Sequence, residues 1–287
     1  MPLAMSTDLK FGLFLLNTCL STGPTAAARI ARLAESSGFD SIWAPEHVVL
    51  PDPRVRPSPM DPDEPILDPL IALAFLAAHT TSLRLGTGIV ILPQRNPLVL
   101  AKQVASLDSL SQGRLILGVG AGYLEPEMSA IGVPMAERGG RTDEFLAAMD
   151  QLWYEQRPAY AGRFVRFSGV TAYPRPRRVP IVVGGESPAA HRRAIQRGHG
   201  WYGFALDLAQ TAAQLEGLRH AEACYERPLH LGPLEVSVTP TSTPDRATAQ
   251  RYAELGVHRL ILRPGRELDE AGLVSFVTET SRTLIAP

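Results

Sequence analysis

The chain has 287 residues, which exceeds a typical single domain but suits an α/β barrel that folds as one unit. Its 28 basic and 29 acidic side chains give a formal net charge of -1. No broad electrostatic field therefore favours binding to nucleic acid or to an anionic membrane, and we expect a small-molecule substrate as the partner. The two cysteines lack metal-ligand spacing, and no signal peptide or membrane-spanning run is evident, so we expect a cytoplasmic protein without a disulfide framework.

Apolar, β-rich runs alternate with amphipathic stretches along the chain, which is the pattern of repeated strand-helix units. The predicted strands cover residues 11–16, 39–44, 83–92, 114–120, 179–183, 201–204, 234–238 and 259–263. The predicted helices cover residues 24–37, 67–80, 98–111, 140–156, 188–197, 208–225, 245–255 and 268–284. Gly38, Gly198 and Gly256 are predicted to end three of these helices in the left-handed conformation. Eight units in order predict a single (β/α)8 TIM barrel over residues 1–287 rather than an open doubly wound sheet.

Two segments interrupt this alternation. Residues 45–65, after the second strand, are too long and too rich in proline for a simple connection, and we interpret them as a lid. Residues 157–178, before the fifth strand, alternate apolar and polar side chains. This insertion predicts a strand hairpin or loop over the barrel mouth, with a disordered excursion as the alternative.

The Glu46-His47 pair directly follows the second predicted strand. Catalytic groups of a parallel barrel lie at the carboxyl ends of its strands, and histidine can pass protons near neutral pH. His47 is therefore the candidate catalytic residue; the alternative is an ordinary loop or core histidine. No second histidine lies at a predicted strand end, so a metal site is not predicted.

The run Gly184-Gly185-Glu186-Ser187-Pro188 leads from the fifth predicted strand into a helix. Ser187 suits the N-cap and Pro188 the first helical position. The free N–H groups of this helix end can bind phosphate, and Arg192 or Arg193 can add charge; an ordinary capped turn is the alternative.

Glycines also interrupt the third and fourth predicted strands. Gly86 and Gly88 in the third strand indicate a bulge or a close backbone approach. In residues 117–122 of the fourth strand, the glycine spacing misses the dinucleotide fingerprint by one position and instead indicates close approach to something flat. Arg95, after the third strand, either faces a ligand or forms an ion pair at the rim.

Residues 43–47, 86–97, 113–122, 137–144, 183–188 and 198–201 together resemble the bacterial-luciferase-like monooxygenase superfamily. The resemblance covers about residues 9–204, and within the superfamily the chain is most similar to the oxidoreductases that use the deazaflavin coenzyme F420. It implies a barrel that holds a flavin-type ring at its carboxyl face, with the phosphate near Gly184, Gly185 and Ser187.

The resemblance also implies roles for individual residues. His47, with Glu46 beside it, would be the catalytic proton donor or stabiliser. The implied cofactor-binding residues are Gly88, Ile89, Ala121, Gly122, Gly184, Gly185, Glu186 and Ser187. Gly88-Ile89 would form a non-prolyl cis peptide behind the ring. Two positions depart from the pattern: Tyr123 stands where some relatives have an acid, with Glu125 the nearest carboxylate, and His199 replaces a more usual aspartate.

The implied activity is F420-dependent hydride transfer to or from a small organic substrate. A reduced-FMN-dependent monooxygenase that uses molecular oxygen is the first alternative, and a non-catalytic flavin-binding protein is the second. A homodimer is one assembly that the sequence allows.

Overall fold

The computed structural model of the protein describes residues 9–14, 16–18 and 23–286, and its centre is a closed barrel of eight parallel strands. The third barrel position is split into two segments, β3 and β4, so nine segments build the wall. They are β1 Lys10–Phe14, β2 Ser41–Ala44, β3 Arg84–Thr87, β4 Val90–Ile91, β5 Leu115–Gly120, β8 Ile181–Gly184, β9 Gly200–Leu206, β10 Glu235–Pro240 and β11 Arg259–Leu262. Parallel pairing of β1 with β11 and of β3 with β5 closes the ring, which confirms the predicted barrel.

Helices follow the strands and surround the barrel. They are α1 Pro24–Ser36, α2 Pro69–Ala77, α3 Pro97–Leu110, α4 Glu125–Ala130, α5 Arg138–Tyr154, α6 Pro188–Arg197, α7 Leu208–Cys224, α8 Arg246–Leu255 and α9 Glu270–Thr280. All eight predicted helices are present, with ends that differ by a few residues, and α4 is an addition that the prediction missed. Position 15 of the first predicted strand and Cys19 lie outside the described residues.

The predicted glycine helix ends are confirmed at two of three positions. Gly38 and Gly256 have φ angles of 86° and 103°, which glycine adopts without a steric penalty. The prediction for Gly198 was wrong, because this residue is extended, with a φ angle of -93°. A Cβ there would lie 2.9 Å from the Gly200 carbonyl oxygen and 3.0 Å from that of Ala194, so close backbone packing explains this glycine.

Apolar side chains fill the barrel in two layers, and a small cluster of Ile91, Met128 and Val133 is separate from both. The larger layer lies between the strands and the surrounding helices, where residues such as Ile30, Leu73 and Val104 have no exposed surface. A smaller cluster comprises Phe14, Trp43, Ile116, Val182, Tyr202 and Ile261, with Ile89 packed against it. These barrel residues support the site above them.

The insertion before β8 forms the predicted hairpin. Strands β6, Tyr160–Ala161, and β7, Arg166–Phe167, pair antiparallel. The guanidinium groups of Arg141 and Arg163 each lie 4.8 Å from the centre of the Phe164 ring at the tip. The tip is therefore packed on the beginning of α5. In the part of the chain that the structure describes, no helix is both long and apolar enough to cross a membrane.

Candidate active site

A cavity of about 590 Å³ opens at the carboxyl ends of the strands. All ten residues that the sequence marks as site residues line it: Glu46, His47, Gly88, Ile89, Ala121, Gly122, Gly184, Gly185, Glu186 and Ser187. Its volume lies within the range of small-molecule sites. The barrel thus brings the predicted residues together, while their individual roles stay predictions.

His47 is held by a carboxylate that the sequence analysis did not identify. Its Nδ1 lies 2.8 Å from Oε2 of Glu127, and Glu127 Oε1 accepts a second hydrogen bond from the Val48 N–H at 2.6 Å. The His47 side chain is 8% exposed and that of Glu127 is fully buried. A carboxylate that accepts from Nδ1–H fixes the imidazole orientation and leaves Nε2 available as a proton acceptor.

Glu127 lies on the short helix α4, which the sequence analysis treated as irregular. Glu125, the carboxylate nearest to Tyr123 in the sequence, begins the helix and is exposed to solvent. The local signal was present: Pro126 suits the first turn, and Leu124 and Met128 are apolar residues four positions apart. Both are fully buried, so α4 is anchored and carries Glu127 beneath His47.

Tyr123 lies on the other side of the His47 ring. Its hydroxyl oxygen is 3.4 Å from His47 Nε2, and the two rings meet edge to face with centres 6.0 Å apart. Burial raises the pKa of the Tyr123 hydroxyl, and the negative charge of Glu127 raises it further, while Arg266 opposes both. The hydroxyl is therefore protonated at neutral pH and can hydrogen-bond to a ligand or to His47.

Glu46 has different contacts from those of its neighbour His47. Its carboxylate accepts hydrogen bonds from the Ile91 N–H at 2.5 Å and from Arg95 Nε at 2.8 Å, and Arg95 also pairs with Asp68. Burial raises the pKa of Glu46, which the charge of Arg95 opposes. These contacts are those of a positioning residue that links β2 to β4, and a catalytic role for Glu46 stays a prediction. Arg95 forms the rim ion pair that was one of its two predicted roles.

The Gly88-Ile89 peptide is not cis. Within the described residues every cis peptide precedes a proline, so that implication of the resemblance was wrong. Instead, Ile89 has a φ angle of 115°, which is strained for a β-branched residue and persists only where packing over-determines it. A Cβ at Gly120 or Gly184 would lie 2.7 or 2.5 Å from the Ile89 side chain. These two glycines leave room for Ile89, the side chain that closely approaches both strands.

The opposite end of the cavity is suited to an anion. Helix α6 begins there, and the Ser187 hydroxyl caps it by accepting from the Ala190 N–H at 3.3 Å, as predicted. The first residues of α5, Arg138 and Gly139, also line this end.

Three arginines, Arg138, Arg192 and Arg193, outnumber the two carboxylates at this end, Asp143 and Glu186. Arg193 lines the cavity and shares the Asp143 carboxylate with Arg192, at 2.7 and 2.8 Å, so two cations have one anion between them. Arg138 adds a further cation and is bonded to the Met135 carbonyl at 2.6 Å. The cavity volume, two helix N-termini and excess positive charge fit a flavin-type cofactor with its phosphate at this end.

The proline-rich loop forms one wall of the cavity through Pro45, Pro59 and Met60. Both ends of the loop are fixed by Asn17, whose Nδ2 donates to the carbonyl oxygens of Pro45 and Leu67, each at 2.8 Å. Its middle is held by Arg266, which donates to the Pro59 carbonyl oxygen at 2.8 Å. The loop therefore forms part of the cavity wall, and its role as a lid stays a prediction.

His199 lies at the amino ends of the strands, away from the cavity. Its Nδ1 accepts a hydrogen bond from the Ile181 N–H at 3.1 Å. Burial, reinforced by nearby Arg178 and Arg227, lowers the pKa of His199 to about 4, so the ring is neutral at physiological pH. Among the described residues, no group of three or more His, Cys, Asp and Glu side chains could hold a metal ion.

Comparison with known proteins places this site in context. A family model described as luciferase-like monooxygenase matches residues 9–276. A protein of Mycobacterium tuberculosis without a characterised function is 32% identical over 286 residues, covering 92% of this chain and 95% of that protein.

Two relatives with assigned activities match shorter stretches. An F420-dependent glucose-6-phosphate dehydrogenase of Kineococcus radiotolerans is 34% identical over 193 residues, covering 64% of this chain and 55% of that enzyme. The oxygenase component of a flavin-dependent trigonelline monooxygenase of Acinetobacter baylyi is 32% identical over 177 residues, covering 59% and 45%. The crystal structure of monooxygenase RslO1 from Streptomyces bottropensis shares the fold, with a TM-score of 0.77, 24% identity and coverage of 96% and 99%.

Proposed function

Because the chain belongs to the luciferase-like monooxygenase family, we propose that it is a coenzyme F420-dependent oxidoreductase that moves a hydride to or from a small organic substrate. The observation that carries the proposal is His47, which lines the cavity while its Nδ1 is held at 2.8 Å by the buried Glu127 carboxylate. Interconversion of a hydroxyl and a carbonyl changes the proton on oxygen as well as the hydride on carbon. His47 Nε2 supplies the group that accepts or returns this proton.

The two ends of the cavity have separate tasks in this proposal. Arg138, Arg193 and the beginnings of α5 and α6 hold the cofactor phosphate, while His47 and Tyr123 face the reacting carbon. A bound deazaflavin supplies hydride chemistry without ready oxygen activation, because its reactive ring position is carbon rather than nitrogen. Ile89, whose side chain packs at the top of the barrel core, is placed to support the ring. The loop at 45–65 excludes water from the reacting groups.

Supporting evidence for the deazaflavin comes from the relative of Kineococcus radiotolerans, which is an F420-dependent enzyme. A reduced-FMN-dependent monooxygenase is the second candidate. The observation that favours it is the covering loop, whose Pro59 and Met60 close one wall, since a monooxygenase must keep water from its oxygen intermediates. The relative of Acinetobacter baylyi supports the same reading.

The experiment that tests the proposal is a titration of the protein with coenzyme F420 and with FMN, followed by tryptophan fluorescence. We expect tighter binding of F420 and at least tenfold weaker binding in Arg138→Met, because a cation beside the phosphate is lost. Arg197→Met is the matched control, since Arg197 is on α6 but does not line the cavity. Tight binding of FMN alone, with substrate-dependent oxygen uptake, would assign the second candidate instead.

A further inference from the structure

The polar side chains that line the cavity include His47, Tyr123 and Arg266. Arg266 comes from the connection between β11 and α9, on the opposite side of the barrel order from α4. It is close enough that its charge favours the ionised form of the Tyr123 hydroxyl. That hydroxyl is 3.4 Å from His47 Nε2, and all three side chains line the same cavity.

The guanidinium of Arg266 is only partly satisfied by the protein. One terminal nitrogen donates to the Pro59 carbonyl oxygen at 2.8 Å and lies 3.4 Å from Glu64 Oε2. No hydrogen bond within the described residues uses its Nε or its second terminal nitrogen. The side chain is 30% exposed. A guanidinium presents five N–H donors in a rigid fork, so most of that fork is available to a ligand.

Two other charged side chains at the cavity wall, Arg193 and Glu46, have closer ionic partners than Arg266. Arg193 is bound to Asp143 at 2.7 Å and to the Gly139 carbonyl oxygen at 3.0 Å. The Glu46 carboxylate is taken by Arg95 and by the Ile91 N–H. Arg266 is therefore the cation at the reacting end whose charge a small ligand can best neutralise.

Much of the cavity wall is apolar. Phe14, Met60, Ile66, Ile91 and Phe204 line the cavity together with Arg266. The rings of Phe14 and Phe204 are in contact, with centres 5.4 Å apart. A ligand that fits this end combines a compact apolar body with one anionic group that can accept two parallel hydrogen bonds.

We propose that the substrate is a small organic anion, a carboxylate or a phosphate monoester, whose charged group binds the free fork of Arg266 and the Tyr123 hydroxyl. Anion binding follows from the residues alone, whereas placement of the reacting carbon beside His47 rests on the proposed oxidoreductase function. Arg266 is thus a specificity-determining residue, which selects for charge at a fixed distance from His47.

The test uses three probes with matched skeletons: 4-methylpentanoate, isopentyl phosphate and the neutral 4-methylpentanamide. Their dissociation constants are measured by ligand-observed NMR at constant ionic strength, with and without bound coenzyme F420. We expect one or both anions to bind at least tenfold more tightly than the amide. Arg266→Met should remove that preference, and Arg266→Lys should retain part of it, because lysine keeps the charge but not the fork.

The neighbouring cation Arg263 supplies the control. Its guanidinium lies 5.6 Å from the Phe204 ring centre, and it does not line the cavity. Arg263→Met should change anion binding by less than threefold, so a larger loss would assign the preference to the general field and overturn the proposal. Equal binding of amide and anions to the unchanged protein would also overturn it.

If Arg266→Met loses binding of the amide as well as of the anions, the 45–65 loop has been displaced. In that case Arg266→Lys decides: a retained preference for anions supports the proposal, and a lost preference overturns it. The proposed cofactor is tested separately. Anion binding that depends on Arg266 in a protein that binds neither F420 nor FMN would leave the anion site standing and reject the oxidoreductase function.

Discussion

At the amino ends of the strands, Arg259 is completely buried and its guanidinium is enclosed by protein partners. It pairs with Asp40 at 3.0 Å and with Glu235, donates to the Ser237 hydroxyl at 3.2 Å, and lies over the Trp43 ring. Arg266 at the carboxyl ends keeps most of its donors free. Arg259 at the amino ends is thus paired with two carboxylates, whereas Arg266 at the carboxyl ends, beside the cavity, keeps donors available to a ligand.

The same contrast holds for the acids. Burial alone would raise the pKa of Glu235, but the charges of Arg259 and Lys10 outweigh it and lower that pKa. Glu127 instead serves one imidazole and one backbone N–H, and the far side of that imidazole faces the cavity. Glu235, at the amino ends of the strands, thus stabilises the fold, whereas Glu127, at the carboxyl ends, orients a reactive imidazole.

The largest effect that would test this comparison is expected at His47. His47→Asn should lower turnover by about 10² to 10⁴-fold, because a positioned proton donor or acceptor is lost, while cofactor affinity changes by less than about tenfold. Turnover is measured with a substrate found by screening small anions with F420. His220→Asn, at an exposed position on α7, is the control. Undiminished turnover would show that His47 is a packing residue.

Arg259→Met tests the stabilising role of the buried cation at the amino ends of the strands. It leaves Asp40 and Glu235 without their buried cation, and we expect a loss of about 3 to 5 kcal/mol in the free energy of unfolding. Urea unfolding measures this loss, and cofactor affinity of the folded variant should stay within threefold. Arg219→Met, which removes an exposed ion pair with Glu216, should cost about 1 kcal/mol or less. Equal costs for the two variants would contradict the proposed division.

Glu127→Gln tests whether the buried carboxylate orients the His47 imidazole in the active site. We expect turnover to fall by about 10 to 100-fold, less than for His47→Asn, because the imidazole remains but its orientation and tautomer are no longer fixed. Nitrogen NMR of the His47 ring should show a changed tautomer population, which a purely structural effect would not produce. Glu125→Gln, two residues away and exposed, should change neither measurement.

The smallest expected effect is on the stability of the fold at low pH, through Glu35 near the amino ends of the strands. Burial opposes ionisation of Glu35, but hydrogen bonds from Ser82, Leu83 and Thr81 outweigh it and lower the Glu35 pKa to about 2. A lowered folded pKa gives stability that is present above the ordinary value of 4.5 and is lost as the pH falls toward 2. Glu35→Gln should therefore be less stable by about 1 kcal/mol or less at pH 6, allowing for solvent screening. Thermal unfolding should show this difference disappear near pH 2; a constant difference would contradict it.

Local sequence patterns determined the barrel and most of its helix ends. The alternation of β-rich and amphipathic runs marks eight repeated units, since strand and helix periodicities depend on neighbours a few residues apart. The Ser187-Pro188 cap is equally local, because the capping hydroxyl bonds within its own first turn. Since parallel strands all present their carboxyl ends to one face, the same patterns also placed His47, Gly122 and Gly184 around one cavity.

Tertiary structure alone decided which groups meet inside that cavity. His47 and its partner Glu127 are 80 residues apart, and Glu46 and Arg95 are 49 residues apart. The periodicity of a helix or strand therefore predicts neither contact. The Ile89 side chain, whose backbone is strained, occupies space left by glycines on two other strands. The free fork of Arg266 likewise follows from how a distant loop covers the barrel. Such contacts depend on long-range packing, which a short sequence window does not contain.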